Sequence, residues 1–117
     1  MREDNSRIDV RPVTGALGAE IRDIDLAEAL DNETFSEIYD AFLDHLVLFF
    51  RDQKLTPDQH KDFARRFGDL HVHPLTEGLP GHPEIVEVIK EPDEHHNWGD
   101  GWHTDLPFLD KPPMSSV

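Results

Sequence analysis

The chain has 117 residues, room for one domain with a modest core, and its 25 acidic against 11 basic residues give a formal charge of −14. That balance argues against a nucleic-acid partner or an anionic membrane surface, because there is no basic patch to meet phosphate. With no cysteine, a disulfide framework and cysteine-held zinc are excluded, and histidine and carboxylate remain as metal donors. The N-terminal stretch MREDNSRIDV is charged and lacks the apolar run of a secretory signal, and the longest apolar run, residues 46–50, is too short to span a bilayer. The chain reads as soluble and cytoplasmic. Six of its eight histidines follow His60, a distribution compatible with a hydrophilic surface and with a metal or acid-base site.

Taken in order, Ile8, Val10 and Pro12 alternate with polar residues, a second extended piece covers residues 19–24, and Gly15 and Gly18 mark a turn between them, so a hairpin is expected. From Asn32 to Leu46 the residues Phe35, Ile38, Tyr39, Phe42, Leu43 and Leu46 recur at helical spacing. Asp31 or Asn32 can cap this helix, with Glu33 near its positive end and His45 as a structural residue of its last turn. The run Val47, Leu48, Phe49, Phe50 predicts a strand buried on both faces at the centre of the fold. Thr56, Pro57 and Gln59 form a helix-start signature, followed by a short helix on which His60, Phe63, Ala64 and Phe67 share a face and which Gly68 stops. On that face His60 reads as a packing residue.

Beyond Gly68, His71 and His73 project to the same side of an extended segment. Residues 75–83 form a loop, and residues 85–89 predict a strand with Val86 and Val88 on one face. EPDEHH, residues 91–96, is a polar loop whose His95 and His96 are solvated or part of a mobile lid. The stretch NWGDGWHTDLPFLDKPP, residues 97–113, then places His103 and Asp105 on one side of an extended strand, with Thr104 pointing away. One imidazole and one carboxylate make half of the 2-His-1-carboxylate set that holds non-haem Fe(II). On spacing alone a His-x-Asp is common among solvated strand and loop residues. Its neighbours add weight: Trp102 and Phe108 suggest the rim of a semi-buried pocket, and Gly99 and Gly101 allow close approach of the loop.

The succession Gly18-Ala19-Glu20-Ile21, Phe50-Arg51-Asp52-Gln53, Thr56-Pro57, the run from Arg66 through Gly68, His71 and His73 to Pro74, and Trp102-His103-Thr104-Asp105 resembles the N-terminal part of the taurine dioxygenase family. These are Fe(II)- and 2-oxoglutarate-dependent oxygenases. The resemblance implies an α+β fold, the N-terminal portion of a double-stranded β-helix of jelly-roll type with two flanking helices, incomplete here, so that residues 1–117 form a single partial domain. It implies that His103 and Asp105 are iron ligands. The second histidine of the triad, the arginine that binds 2-oxoglutarate and a threonine that helps hold it come later in family members than Val117. It further implies that His73 contacts the substrate anion. Thr76 and Gly99 stand where an aromatic hydroxyl and an asparagine are expected, which opens the substrate to another sulfonate, a sulfate ester, an aryloxyacetate or a carboxylate.

The expected reaction is oxidative decarboxylation of 2-oxoglutarate to succinate and CO2, with O2 as co-reactant and hydroxylation of a small anionic organic substrate. A homo-oligomer is compatible with this reading. Two other readings stand beside it: a metal-binding module that uses His71, His73, His103 and Asp105 as a closed Zn or Mn site, and a non-catalytic fragment or interaction domain. Strands that lack partners would leave open edges, so the chain alone is expected to be poorly soluble or to self-associate.

Overall fold

Two short strands, β1 (Asp9–Pro12) and β2 (Ala19–Arg22), pair antiparallel with Val10 opposite Ile21 and Pro12 opposite Ala19. They are the expected hairpin. The computed structural model describes residues 6–117, which divide into two units that meet in sequence between Phe67 and Gly68. The first half of the charged N-terminal stretch, residues 1–5, lies outside the described residues.

In the first unit, helix α1 (Asn32–His45) begins at Asp31, whose side chain accepts the Thr34 amide at 2.7 Å. It ends at Leu46, which adopts the left-handed conformation at φ 67° and returns its amide to the Phe42 carbonyl at 2.8 Å. Strand β3 (Leu48–Phe50) then runs parallel to β2, with Leu48 opposite Ala19 and Phe50 opposite Ile21. Helix α2 (Pro57–Arg65) opens with the anticipated capping box, Thr56 and Gln59 each satisfying the other's backbone amide.

The strand order β1-β2-β3 corrects one expectation. The central strand is β2, and β3 lies at an edge with Phe49 exposed. Period-two geometry explains the difference: Leu48 and Phe50 turn toward the core, whereas Phe49 falls on the other face with Glu20, where Arg51 stacks over its ring at 5.4 Å. A run of four apolar residues alone does not reveal that one face stays open.

The core joins Ile8, Ile21, Leu26, Ile38, Ala41 and Phe63. Beside it Phe67, just past α2, meets Phe35 and Phe63 edge-on at 5.0 and 5.4 Å and Phe42 at 5.8 Å. Two polar side chains fix the long connections to this core. Gln53 binds the backbone of Ile24 and Leu26, and Arg66 donates to the Leu30 carbonyl at 2.8 Å while lying over the Phe35 ring at 4.6 Å.

The second unit has a different character, for none of its described residues is buried. The strand expected over residues 85–89 is absent. Ile85 instead closes a turn, donating its amide to His82 and accepting the Leu79 amide at 2.9 Å, so its backbone groups are consumed locally. Gly78 sits tightly in this turn, where an added Cβ would lie 2.4 Å from the Pro83 carbonyl oxygen. Among the described residues, no helix is long and apolar enough to cross a membrane.

Candidate metal centre

The segment 102–105 joins no ladder among the described residues and bends at Asp105, so the strand assumed for His-x-Asp is not formed. The two-residue spacing nevertheless has its predicted effect. His103 and Asp105 face each other, with Nε2 3.3 Å from Oδ1. A left-handed Leu106 at φ 48° follows and opens a turn in which the Leu109 amide reaches the Leu106 carbonyl.

The imidazole is held from behind. Its Nδ1 lies 2.7 Å from the carbonyl oxygen of Gly101, which can only accept, so Nδ1 carries the proton and donates. In the neutral ring this leaves the lone pair on Nε2, the atom turned toward Asp105. A cation set between this lone pair and the carboxylate oxygen would draw on both. Adjacent ligands of a six-coordinate ion, each about 2.1 Å from it, stand roughly 3 Å apart. The donor set and its spacing therefore fit two neighbouring positions of an octahedral metal. A backbone carbonyl on the distal ring nitrogen is also the usual second partner of a metal-bound histidine.

His73 is held the opposite way. Its Nδ1 accepts the Leu75 amide at 3.1 Å, which commits that lone pair and leaves Nε2 as an N–H donor. A ring in this state suits an anion better than a metal.

The rest of the anticipated site differs from expectation. Trp102 is fully exposed and Phe108 largely so, and they form no rim around the pair. His103 and Asp105 are themselves more than half exposed. Among the described residues, no three histidine or carboxylate side chains come together as a metal cluster. Of the four residues of the closed Zn or Mn reading, His103 and Asp105 pair, and no third joins them. The Gly101 carbonyl was not singled out from sequence, since a backbone acceptor leaves no residue-type signal.

Comparison with known proteins gives the chain its relatives. The chain is 36% identical to an alkylsulfatase of Acinetobacter baylyi, across its whole length and 36% of that protein. It is 34% identical over 94% of its length to an alpha-ketoglutarate-dependent sulfate ester dioxygenase of Pseudomonas putida, again covering 36% of the relative. A crystal structure of a taurine dioxygenase from Burkholderia xenovorans superposes with a TM-score of 0.73 at 36% identity, covering 91% of this chain and 37% of the other. The chain thus spans little more than a third of these relatives. Residues 9–117 match the family described as taurine catabolism dioxygenase TauD, TfdA, and the chain belongs to that family.

Proposed function

We propose that this chain is the N-terminal portion of a double-stranded β-helix dioxygenase dependent on Fe(II) and 2-oxoglutarate. In this reading His103 and Asp105 are two of the iron ligands and His73 contacts a small anionic organic substrate. The observation that carries it is the ring state of His103: Nδ1–H is given to Gly101, and Nε2 stands 3.3 Å from Asp105. The names of the relatives, an alkylsulfatase and a sulfate ester dioxygenase, favour a sulfate ester as the substrate class.

Iron bound with 2-oxoglutarate and O2 would supply the oxidising power for hydroxylation, chemistry that belongs to the metal and cosubstrate. The chain's own residues orient. Gly101 fixes the tautomer of His103, Asp105 contributes negative charge next to Nε2, and His73 offers an Nε2–H to a sulfate or carboxylate oxygen. The reading as a closed four-ligand module has less support, because the Nδ1 of His73 is already engaged by Leu75.

The test is an anaerobic Fe(II) titration with and without 2-oxoglutarate, followed through the weak visible charge-transfer band of the chelate. In a protein that carries this portion together with the later histidine and arginine of the family, a band that vanishes in His103→Ala and persists in His71→Ala is expected. Saturable Fe(II) binding that is unchanged in His103→Ala would reject the reading.

A further inference from the structure

Asp100 stands between two glycines in the second unit, and both Asp100 and Gly101 are exposed. Asp100-Gly101 is the one place in the sequence where glycine follows aspartate. Nothing lies within 4 Å of a Cβ added at Gly101, so the peptide after Asp100 has open space beside it. With a glycine on each side, few backbone rotations at Asp100 are barred by neighbouring side chains. Among the described residues, the Asp100 carboxylate takes part in no hydrogen bond or ion pair. Other aspartates are placed differently. Asp31 and Asp25 give their carboxylates to the amides of Thr34 and Ala27, at 2.7 and 2.9 Å. Asp58 and Asp62 lie within α2, where the helix fixes the backbone. Asp105 is exposed but is followed by the branched Leu106.

We propose that the Asp100–Gly101 linkage is a site of spontaneous isomerisation to isoaspartate. The amide nitrogen of Gly101 attacks Cγ of Asp100 and forms an N–Cγ bond, while the carboxyl hydroxyl leaves with the amide proton as water. The product is a five-membered succinimide. Closure requires the Gly101 nitrogen to swing against Cγ, a movement that a side chain at residue 101 would crowd and that glycine leaves free. Water then adds to one of the two ring carbonyls. Breaking the bond from nitrogen to Cγ restores aspartate, and breaking the bond from nitrogen to the main-chain carbonyl carbon leaves isoaspartate. Composition and charge are the same before and after, and solvent water is the only co-reactant. The main chain gains one methylene between Asp100 and Gly101, and the free carboxylate moves to Cα. This stretch leads directly into His103, so an isomerised molecule enters the His103 and Asp105 segment through an altered backbone. The chemistry requires neither a metal nor the assignment of those two residues as ligands.

The test ages the intact chain in warm neutral buffer and follows the tryptic peptide 91–117 by liquid chromatography and mass spectrometry. A second peak of equal mass is expected, assigned to isoaspartate at residue 100 by electron-transfer fragmentation, with a minor species lighter by one water. Cleavage before residue 100 by an aspartate-specific protease should be lost in that peak. Gly101→Ala is expected to suppress the new peak, because its methyl group crowds the closing ring. Asp100→Asn is expected to accelerate it, since the same ring forms with ammonia as the leaving group. Asp100→Glu is expected to abolish it. A synthetic peptide of residues 97–105 gives the rate without the fold, and the chain is expected to isomerise at a similar rate because the fold leaves this site open. Isomerisation in the peptide but not in the chain overturns the proposal. So does isoaspartate that forms at Asp93, Asp105 or Asp110 and leaves Asp100 intact.

Discussion

Gln53 closes the loop after β2 onto the loop after β3: its Oε1 accepts the Leu26 amide at 2.8 Å while its Nε2 donates to the carbonyls of Ile24 and Arg51, each at 3.0 Å. Leu26 is a core residue, so this amide side chain fixes where the connection from β2 to α1 enters the core. Replacement by alanine leaves a backbone N–H and two carbonyls without their partner. Gln53→Ala is expected to cost about 2 kcal/mol, read as a lowered urea midpoint at unchanged slope. Gln53→Glu keeps the acceptor but loses the donor, and should also destabilise. A midpoint within error of wild type for both would show that solvent replaces these bonds.

Phe67 is the junction of four rings, with Phe35, Phe42 and Phe63 edge-on and Tyr39 at 6.1 Å. Being half-buried, it loses less on truncation than a fully enclosed ring. Phe67→Ala is expected to destabilise by about 2–3 kcal/mol, and Phe67→Leu by about 1 kcal/mol, since leucine keeps much of the volume but none of the edge-to-face contact. Thermal or urea unfolding checks both values.

Asp31 is expected to contribute to the loss of stability in acid. Hydrogen bonds from Thr34 chiefly, with Arg7 nearby at 2.6 Å, hold its carboxyl below the usual aspartate range. A folded-state pKa lower than the unfolded one makes a contribution that is complete above the unfolded value and is lost as pH falls through the folded value. Asp31→Asn should therefore be less stable than wild type near neutral pH. The gap should close on acidification, where both proteins carry an uncharged cap. A difference in urea midpoint that stays constant with pH would contradict the assignment.

Leu46 adopts φ 67° at the end of α1 with its side chain 63% exposed. Little packing offsets the conformational cost of a branched residue there. Leu46→Gly is expected to stabilise the chain by about 0.5–1 kcal/mol, the relief of left-handed strain diminished by glycine's greater freedom when unfolded. A fall in melting temperature would mean that the leucine side chain contributes more than its exposure suggests.

The elements that sequence revealed are those with local signals. Thr56 and Gln59 bond to each other's backbone, and Asp31 caps its own helix, so three or four residues suffice to read each helix start. The hairpin register follows from the alternation of Val10 and Pro12 against Ile21 and Ala19. Position in the sheet is not a local property, which is why β3 was expected at the centre and stands at the edge. Residues 85–89 have strand-like side chains, but the turn at Gly78 and Pro83 takes the backbone groups of Ile85 before a ladder can form. At the site, two-residue spacing was enough to pair His103 with Asp105 without a strand. The opposite ring states of His73 and His103 depend on the Leu75 amide and the Gly101 carbonyl, backbone groups common to almost every residue and invisible as a motif.

His103 and Asp105, and not the His71 and His73 pair, are the side chains expected to hold the metal. Mn(II) titration of the metal-free chain, followed by EPR, tests this without cosubstrate or turnover. The prediction is binding that weakens at least roughly tenfold in both His103→Ala and Asp105→Ala and is unaffected in His71→Ala and His73→Ala. Binding retained in His103→Ala but lost when His71 or His73 is removed would contradict it and point instead to a metal held by the His71 and His73 pair.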